Sequence, residues 1–414
     1  MIKLLAPFAI TLAATVAHAQ FPSYPNIDLV ARGNGDCTSP SISSNGNLIA
    51  FYSEATNLAT GASVPSIQVY NVSAGTYELA SPGLTGGVSR PFISRDGLYV
   101  VFYGSSTSTT SAVPRVYNLT THSLSSISVT STLMSVDDTV DAPSISDATG
   151  GTRYVAYKEL APTVIKGGTV PPQIRVYNMS TSASVQASLV GTTKANNSCW
   201  FPVINSDGTR LAFVSSASNL VSGVSGQQVY YSQYATGAWN VTASTSGSLG
   251  TVADWPSISS NGLRVAFESN TGPSTFTEVY LWGTTFAAFQ PYPSNPAPAG
   301  TAKYTGKASI SPDGQYICMI SDRGLDPYLD NVDLYWDGYS WVPVGLASCP
   351  YTYVCDTSTG TCTLLSYRVS TNKKARVGDF GAVSNYADSA AFFTGSDRVY
   401  DSTYPSYYEI YLRH

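Results

Sequence analysis

The chain has 414 residues, a formal net charge of −5 and charged side chains at only 11% of its positions. Aromatic residues make up 12%, Tyr alone numbering 29, which is too rich in large apolar side chains for a disordered chain. No basic cluster is larger than Lys373-Lys374-Ala375-Arg376, so the charge balance argues against a nucleic-acid partner.

In chain order, Lys3, the apolar run over residues 4–16 and Ala17-His18-Ala19 before Gln20 form the three-part pattern of a cleaved secretory signal. The run is shorter than the roughly 20 residues that a spanning helix needs, and no later segment is apolar enough to cross a bilayer. The expectation is a signal peptide over residues 1–19 and a secreted protein, extracellular or periplasmic, with no integral membrane segment.

After the signal, a short apolar segment at residues 26–31 precedes a run of related units. They are PSISSNGNLIAF from Pro40, PFISRDGLYVVF from Pro91, PSISDATGGTRYVAY from Pro143, PVINSDGTRLAF from Pro202, PSISSNGLRVAF from Pro256 and ASISPDGQYICM from Ala308. GAVSNYADSAAFF from Gly381 is a degenerate seventh. Each reads as a strand, a tight Asn-Gly or Asp-Gly turn and a second apolar strand, the strongest short-range hairpin signal. Second hairpins follow several units, as in IQVYNVSAGTYELAS, PRVYNLTTHSLSSIS and IRVYNMSTSASVQAS.

Two hairpins make a four-stranded sheet, and the first six units recur roughly every 50 to 60 residues. That period predicts an all-β β-propeller of seven four-stranded blades, with six blades as the alternative. After the seventh unit only one strand remains, at residues 407–412, so residues 26–31 are expected to close the ring as the missing fourth strand. Residues 20–414 are then one propeller domain with an insertion at about 337–374, which accounts for the long last interval.

The S-x-S-x-[DN]-G-x-x-[IVL]-[AV]-F units resemble the WD-like repeats of TolB-type propellers across nearly the whole chain after the signal. The resemblance implies a propeller of the kind often found in periplasmic or secreted proteins, and no single activity. TolB carries an N-terminal domain for which there is no room before Pro40, so a true TolB orthologue is not expected.

Six cysteines in an exported chain make disulfides plausible. Cys355 and Cys362 flank a hairpin turn and are the expected cross-strand pair. Cys318 shares the register of Ala50 and reads as a buried free thiol. Cys37 and Cys199 precede units in non-adjacent blades and are not expected to pair, and Cys349 has no evident partner. Asn71, Asn118, Asn178, Asn196 and Asn240 head glycosylation sequons, the first three at the second hairpin's turn, where Asn is also favoured conformationally.

Propeller ligands usually meet the channel mouth, so the two residues before each unit are the ones to inspect. These are Thr38-Ser39, Ser89-Arg90, Asp141-Ala142, Trp200-Phe201, Asp254-Trp255, Gly306-Lys307 and Asp379-Phe380, expected in loops leading into the innermost strands. The ligand-binding candidates are Arg90, Asp141, Trp200, Asp254, Trp255, Lys307 and Asp379, a mix of charge and stacking planes suited to a glycan or a peptide. The competing reading wedges Trp200, Phe201, Trp255 and Phe380 between sheets as core, with the Asp residues capping turns.

No cofactor is expected. The acidic stretch Asp322, Asp326, Asp330, Asp333 and Asp337 is the one candidate for calcium, without the spacing of an EF-hand. His122 and His414 are the only imidazoles after the signal, neither beside a nucleophile elbow, so a Ser/His/Asp triad has little support. The leading expectation is a monomeric, non-catalytic propeller binding a protein or glycan at the mouth. The alternatives are a polysaccharide hydrolase or lyase using Asp141, Asp254 or Asp379, and a structural surface protein.

Overall fold

The computed structural model describes residues 27–31, 33–106, 112–129, 141–148, 150–160, 171–245, 252–270, 277–283, 286–292, 305–321, 334–336, 341–343, 351–365, 367–368, 373–374, 377–383, 390–395 and 408–413. Among them every regular element is a strand. The strands pair into seven four-stranded antiparallel sheets, with three additional two-stranded pieces.

The reason these sequences form hairpins lies in the serines. In the first blade, Ser43 donates to Asn45 Oδ1 at 2.7 Å while its Oγ accepts the Leu48 N–H at 3.0 Å. The same clasp recurs at Ser94 with Asp96 and Tyr99, at Ser259 with Asn261 and Arg264, and at Ser311 with Asp313 and Tyr316. These serines are fully buried, so each bond replaces hydration that the turn would otherwise lose. Gly208 shows why the turn ends in glycine: its φ is +72°, and an added Cβ would lie 2.3 Å from the Tyr154 ring of the preceding blade.

The first serine of the motif joins blades. Oγ of Ser41, Ser144 and Ser257 accepts the backbone N–H of Ile93, Ile204 and Ile310 in the following blade, at 3.0–3.1 Å. The second strands are buried on both faces, as in Arg210–Ser215, because each sheet is sandwiched between two others. The apolar clusters accordingly straddle neighbouring sheets: Phe51, Ile49, Ile410 and Leu412 join the last blade to the first, and Phe213, Tyr230, Ile174 and Val176 join the third to the fourth.

Each blade touches the next, and the innermost strand of the first, Cys37–Ile42, packs on the seventh sheet, so the ring is closed. The seventh sheet consists of Val377–Val383, Ala390–Gly395 and Tyr408–Arg413, with Ile27–Ala31 as its outermost strand. Ile27 pairs with Arg413 and Leu29 with Tyr411. The expected closure by the N-terminal strand is therefore present, shifted by one residue.

In the sixth blade, Tyr351–Asp356 and Cys362–Leu364 are the third and fourth strands, and the Cys355–Cys362 disulfide crosses between them. The paired pieces Leu334–Trp336 with Trp341–Pro343, and Tyr367–Arg368 with Lys373–Lys374, fall before and after them in the chain. Cys199 and Cys318 are buried free thiols and Cys37 is buried; Cys349 lies outside the described residues. Replacing Cys355 and Cys362 with Ser should cost about 2–3 kcal/mol, the loop-closure entropy of a short loop. Chemical denaturation of the two proteins would show it as a lower midpoint with an unchanged slope, and an unchanged midpoint would leave the bond without a stabilising role.

Candidate functional site: the channel mouth

In the second and third blades the residues before each unit, Ser89-Arg90 and Asp141-Ala142, lie in loops as expected, ahead of the strands Phe92–Ile93 and Ser144–Ile145. In the first, fourth, fifth and sixth blades the corresponding residues sit inside the innermost strand, at a β-bulge: pairing skips from Thr38 to Ser41, Trp200 to Val203, Asp254 to Ser257 and Gly306 to Ser309. The second residue of each pair takes the left-handed conformation, with φ of 54° at Ser39, 50° at Phe201, 52° at Trp255 and 52° at Lys307. A bulge leaves one residue unpaired, bends the strand and re-aims the side chain there.

Phe201 and Trp255 lie 4.7 Å apart, centroid to centroid. The Arg90 guanidinium from the second blade sits 5.1 Å from both rings, and Lys307 Nζ from the sixth lies 5.0 Å from the Trp255 ring. Four blades thus meet in one cation–aromatic cluster, each contact worth about 0.5–2 kcal/mol. Phe201 is only 4% exposed and packs with Val214, Tyr231, Phe267 and Tyr280 between the fourth and fifth blades, so for this ring the wedge reading holds. Trp200 and Trp255 stay partly exposed at the edge of the same cluster.

The carboxylates are held from within. Asp141 is buried, its Oδ2 2.7 Å from Lys158 Nζ, and its Oδ1 accepts the Phe201 N–H at 3.0 Å. Asp254 accepts from the Trp255 N–H at 2.9 Å and from Gln227 Nε2 at 2.8 Å. Burial raises the Asp254 carboxyl above its ordinary range; the bonds from Trp255, Gln227 and the Trp200 side chain pull it down, and the charge of Asp141 pushes it up. Glu268, which pairs with Asp254 across the strands, accepts the Lys307 N–H at 3.0 Å.

Of the residues expected at the site, Arg90, Phe201, Trp255 and Lys307 are brought together, with Trp200, Asp254 and Asp141 adjoining them. Asp379 falls in the strand Val377–Val383, but its side chain lies outside the described residues, as do the five aspartates of the acidic stretch. Lys158, Gln227 and Glu268 were not anticipated. Lys158 and Glu268 occupy the second-strand position filled by Tyr52, Tyr103, Val214 and Ile320 in other blades, so counting register from each unit would have found them.

His122 is in a turn with its side chain 66% exposed and Nδ1 2.5 Å from Glu78. The sequon residues Asn71, Asn118 and Asn178 cap their turns through Oδ1, giving each a conformational purpose. Among the described residues no three His, Cys, Asp or Glu side chains gather as metal ligands do, and no helix is long and apolar enough to cross a membrane.

No protein-family model and no curated protein matches the sequence. Solved structures do match in fold. An oligogalacturonate lyase from Vibrio parahaemolyticus is similar at a TM-score of 0.55 and 11% identity, covering 94% of this chain and 93% of that one. The β-propeller domain of the trilobed protease from Pyrococcus furiosus gives 0.50 and 10%, covering 92% and 94%. It is described as having an open velcro topology, whereas here Ile27–Ala31 pairs into the last sheet. TolB from Acinetobacter baumannii is also similar, at 0.45 and 12%, covering 81% of this chain and 64% of that one. At these identities the likeness shows the propeller fold alone.

Proposed function

We propose that this chain is a secreted, non-catalytic propeller that binds a glycan or protein partner at the channel mouth. The observation that carries the reading is the cluster of Trp255 with Arg90 and Lys307, beside the partly exposed Trp200. Indole planes flanked by fixed hydrogen-bonding groups suit a sugar ring or a peptide segment. The carboxylates support binding over catalysis, since Asp141 is committed to Lys158 and the Phe201 amide, and Asp254 to Trp255 and Gln227. The disulfide fits an oxidising compartment.

The raised Asp254 carboxyl near Asp141 favours a second reading, a polysaccharide hydrolase or lyase, and a lyase acting on oligogalacturonate shares the fold. One panel separates the two. Immobilised polygalacturonate and neutral polysaccharides, with an extracellular protein fraction as the protein arm, are offered to the parent chain and to Trp200→Ala/Trp255→Ala. The expected result is retention of the parent on one matrix and at least about 30-fold weaker retention of the correctly folded variant. Turnover of a matrix that disappears in Asp254→Asn would establish the enzyme instead, and no retention on any arm would end the binding reading.

A further inference from the structure

The inner hairpin turns form a collar at the end of the channel opposite the mouth. The residue that follows the Ser or Asn opening the turn bonds to its counterpart in the next blade at four junctions: Ser44 N–H to Arg95 O, Asp147 N–H to Ser206 O, Ser206 N–H to Ser260 O and Ser260 N–H to Pro312 O, at 2.7–3.1 Å. In this series of short side chains and proline, the second blade alone places an arginine.

Arg95 reaches past its neighbours. Its Nη1 donates to Ser206 Oγ at 3.0 Å and to Ser260 Oγ at 3.1 Å, and its Nη2 donates to the carbonyl of Ile258. Those acceptors belong to the fourth and fifth blades, two and three places around a seven-membered ring, so the side chain crosses the channel. Ile258 ends the strand that carries Trp255, and Ser206 follows the strand that carries Trp200 and Phe201. Five residues earlier in the second blade, Arg90 touches Phe201 and Trp255 at the mouth end of the same two strands. Five extended residues span roughly 16 Å, so the two arginines brace one pair of strands at both ends.

We infer that the second blade is a transverse strut, with Arg95 a positioning residue that closes the channel's turn end and fixes the strands presenting the mouth aromatics. Its functional meaning rests on the mouth being the binding face; its geometry does not. Burial lowers the Arg95 guanidinium to about 10, with Asp147 opposing the fall, so the group remains charged at neutral pH and keeps all three bonds.

Amide hydrogen exchange on the ligand-free chain tests this independently of any binding result. Arg95→Ala should speed exchange roughly tenfold across Cys199–Ile204 and Ala253–Ile258, including the amides of Phe201 and Trp255, and leave Ala390–Gly395 in the seventh blade at the parent rate. Arg95→Lys, which keeps charge but cannot fork to three acceptors, should recover part of the protection. Should Arg95→Ala not fold, Ser206→Ala/Ser260→Ala removes two acceptors, and should speed exchange in the same two strands. Unchanged exchange there, or an equal rise in all seven blades, would overturn the inference.

Discussion

A chain beginning at residue 32 should lose its cooperative unfolding transition and aggregate, whereas one beginning at residue 20 should not. Removing Ile27–Ala31 strips the seventh sheet of its outermost strand and leaves Tyr408–Arg413 as an unpaired edge, a template for pairing with other chains. It also removes Val30 and Ala31, both fully buried, from the cluster with Cys37, Ile42, Phe51, Ile410 and Leu412. Tyr77 loses the Val30 carbonyl that its hydroxyl bonds. Burial of Val30 alone is worth about 1.5–3 kcal/mol, before the ladder bonds and the opened ring are counted. Scattering and melting curves would show the effect, and a synthetic peptide of residues 20–31 added in trans should reverse it. A truncated chain that melts like the parent would mean that the N-terminal strand does not hold the ring closed.

The second large effect is expected at Asp141. Asp141→Ala removes a counter-charge 2.7 Å from the Lys158 ammonium, in a pair whose side chains are only 2% and 11% exposed. Breaking such a pair from one side costs about 3–5 kcal/mol, whereas replacing both members by apolar groups is often close to neutral. Denaturant melts of Asp141→Ala and Asp141→Ala/Lys158→Met should therefore differ, the double variant recovering most of the loss. Equal destabilisation of the two would assign the effect to the lost Phe201 amide bond instead.

The architecture was legible because the repeat encodes it twice. The Asn-Gly and Asp-Gly turns specify hairpins, and their even spacing specifies blades. The serines around them, recognisable only as a pattern in the sequence, prove to be the groups that clasp each turn and join Ile93, Ile204 and Ile310 to the blade before. The closing strand could be read because the last unit lacked a fourth strand and residues 26–31 supplied one. The buried free thiol at Cys318 followed from its register.

The mouth was legible only in outline. Offsets from each unit located Arg90, Phe201, Trp255 and Lys307, but the bulge at the last three depends on backbone conformations, such as φ of 52° at Trp255, that no composition signals. Lys158 and Glu268 arrive from second strands, so they contribute through pairing rather than proximity in sequence. Arg95 was hidden because its partners, Ser206 and Ser260, are more than a hundred residues away.

On the proposed reading the partly exposed indoles at the mouth make the binding surface. Calorimetric titration of the polysaccharide or protein retained by the parent chain, into the parent and into Trp200→Ala/Trp255→Ala, measures this directly. A saturable heat is expected for the parent and an affinity at least about 30-fold weaker for the variant, with the fold unchanged. Equal affinities for the two would contradict it and move the binding surface elsewhere on the propeller.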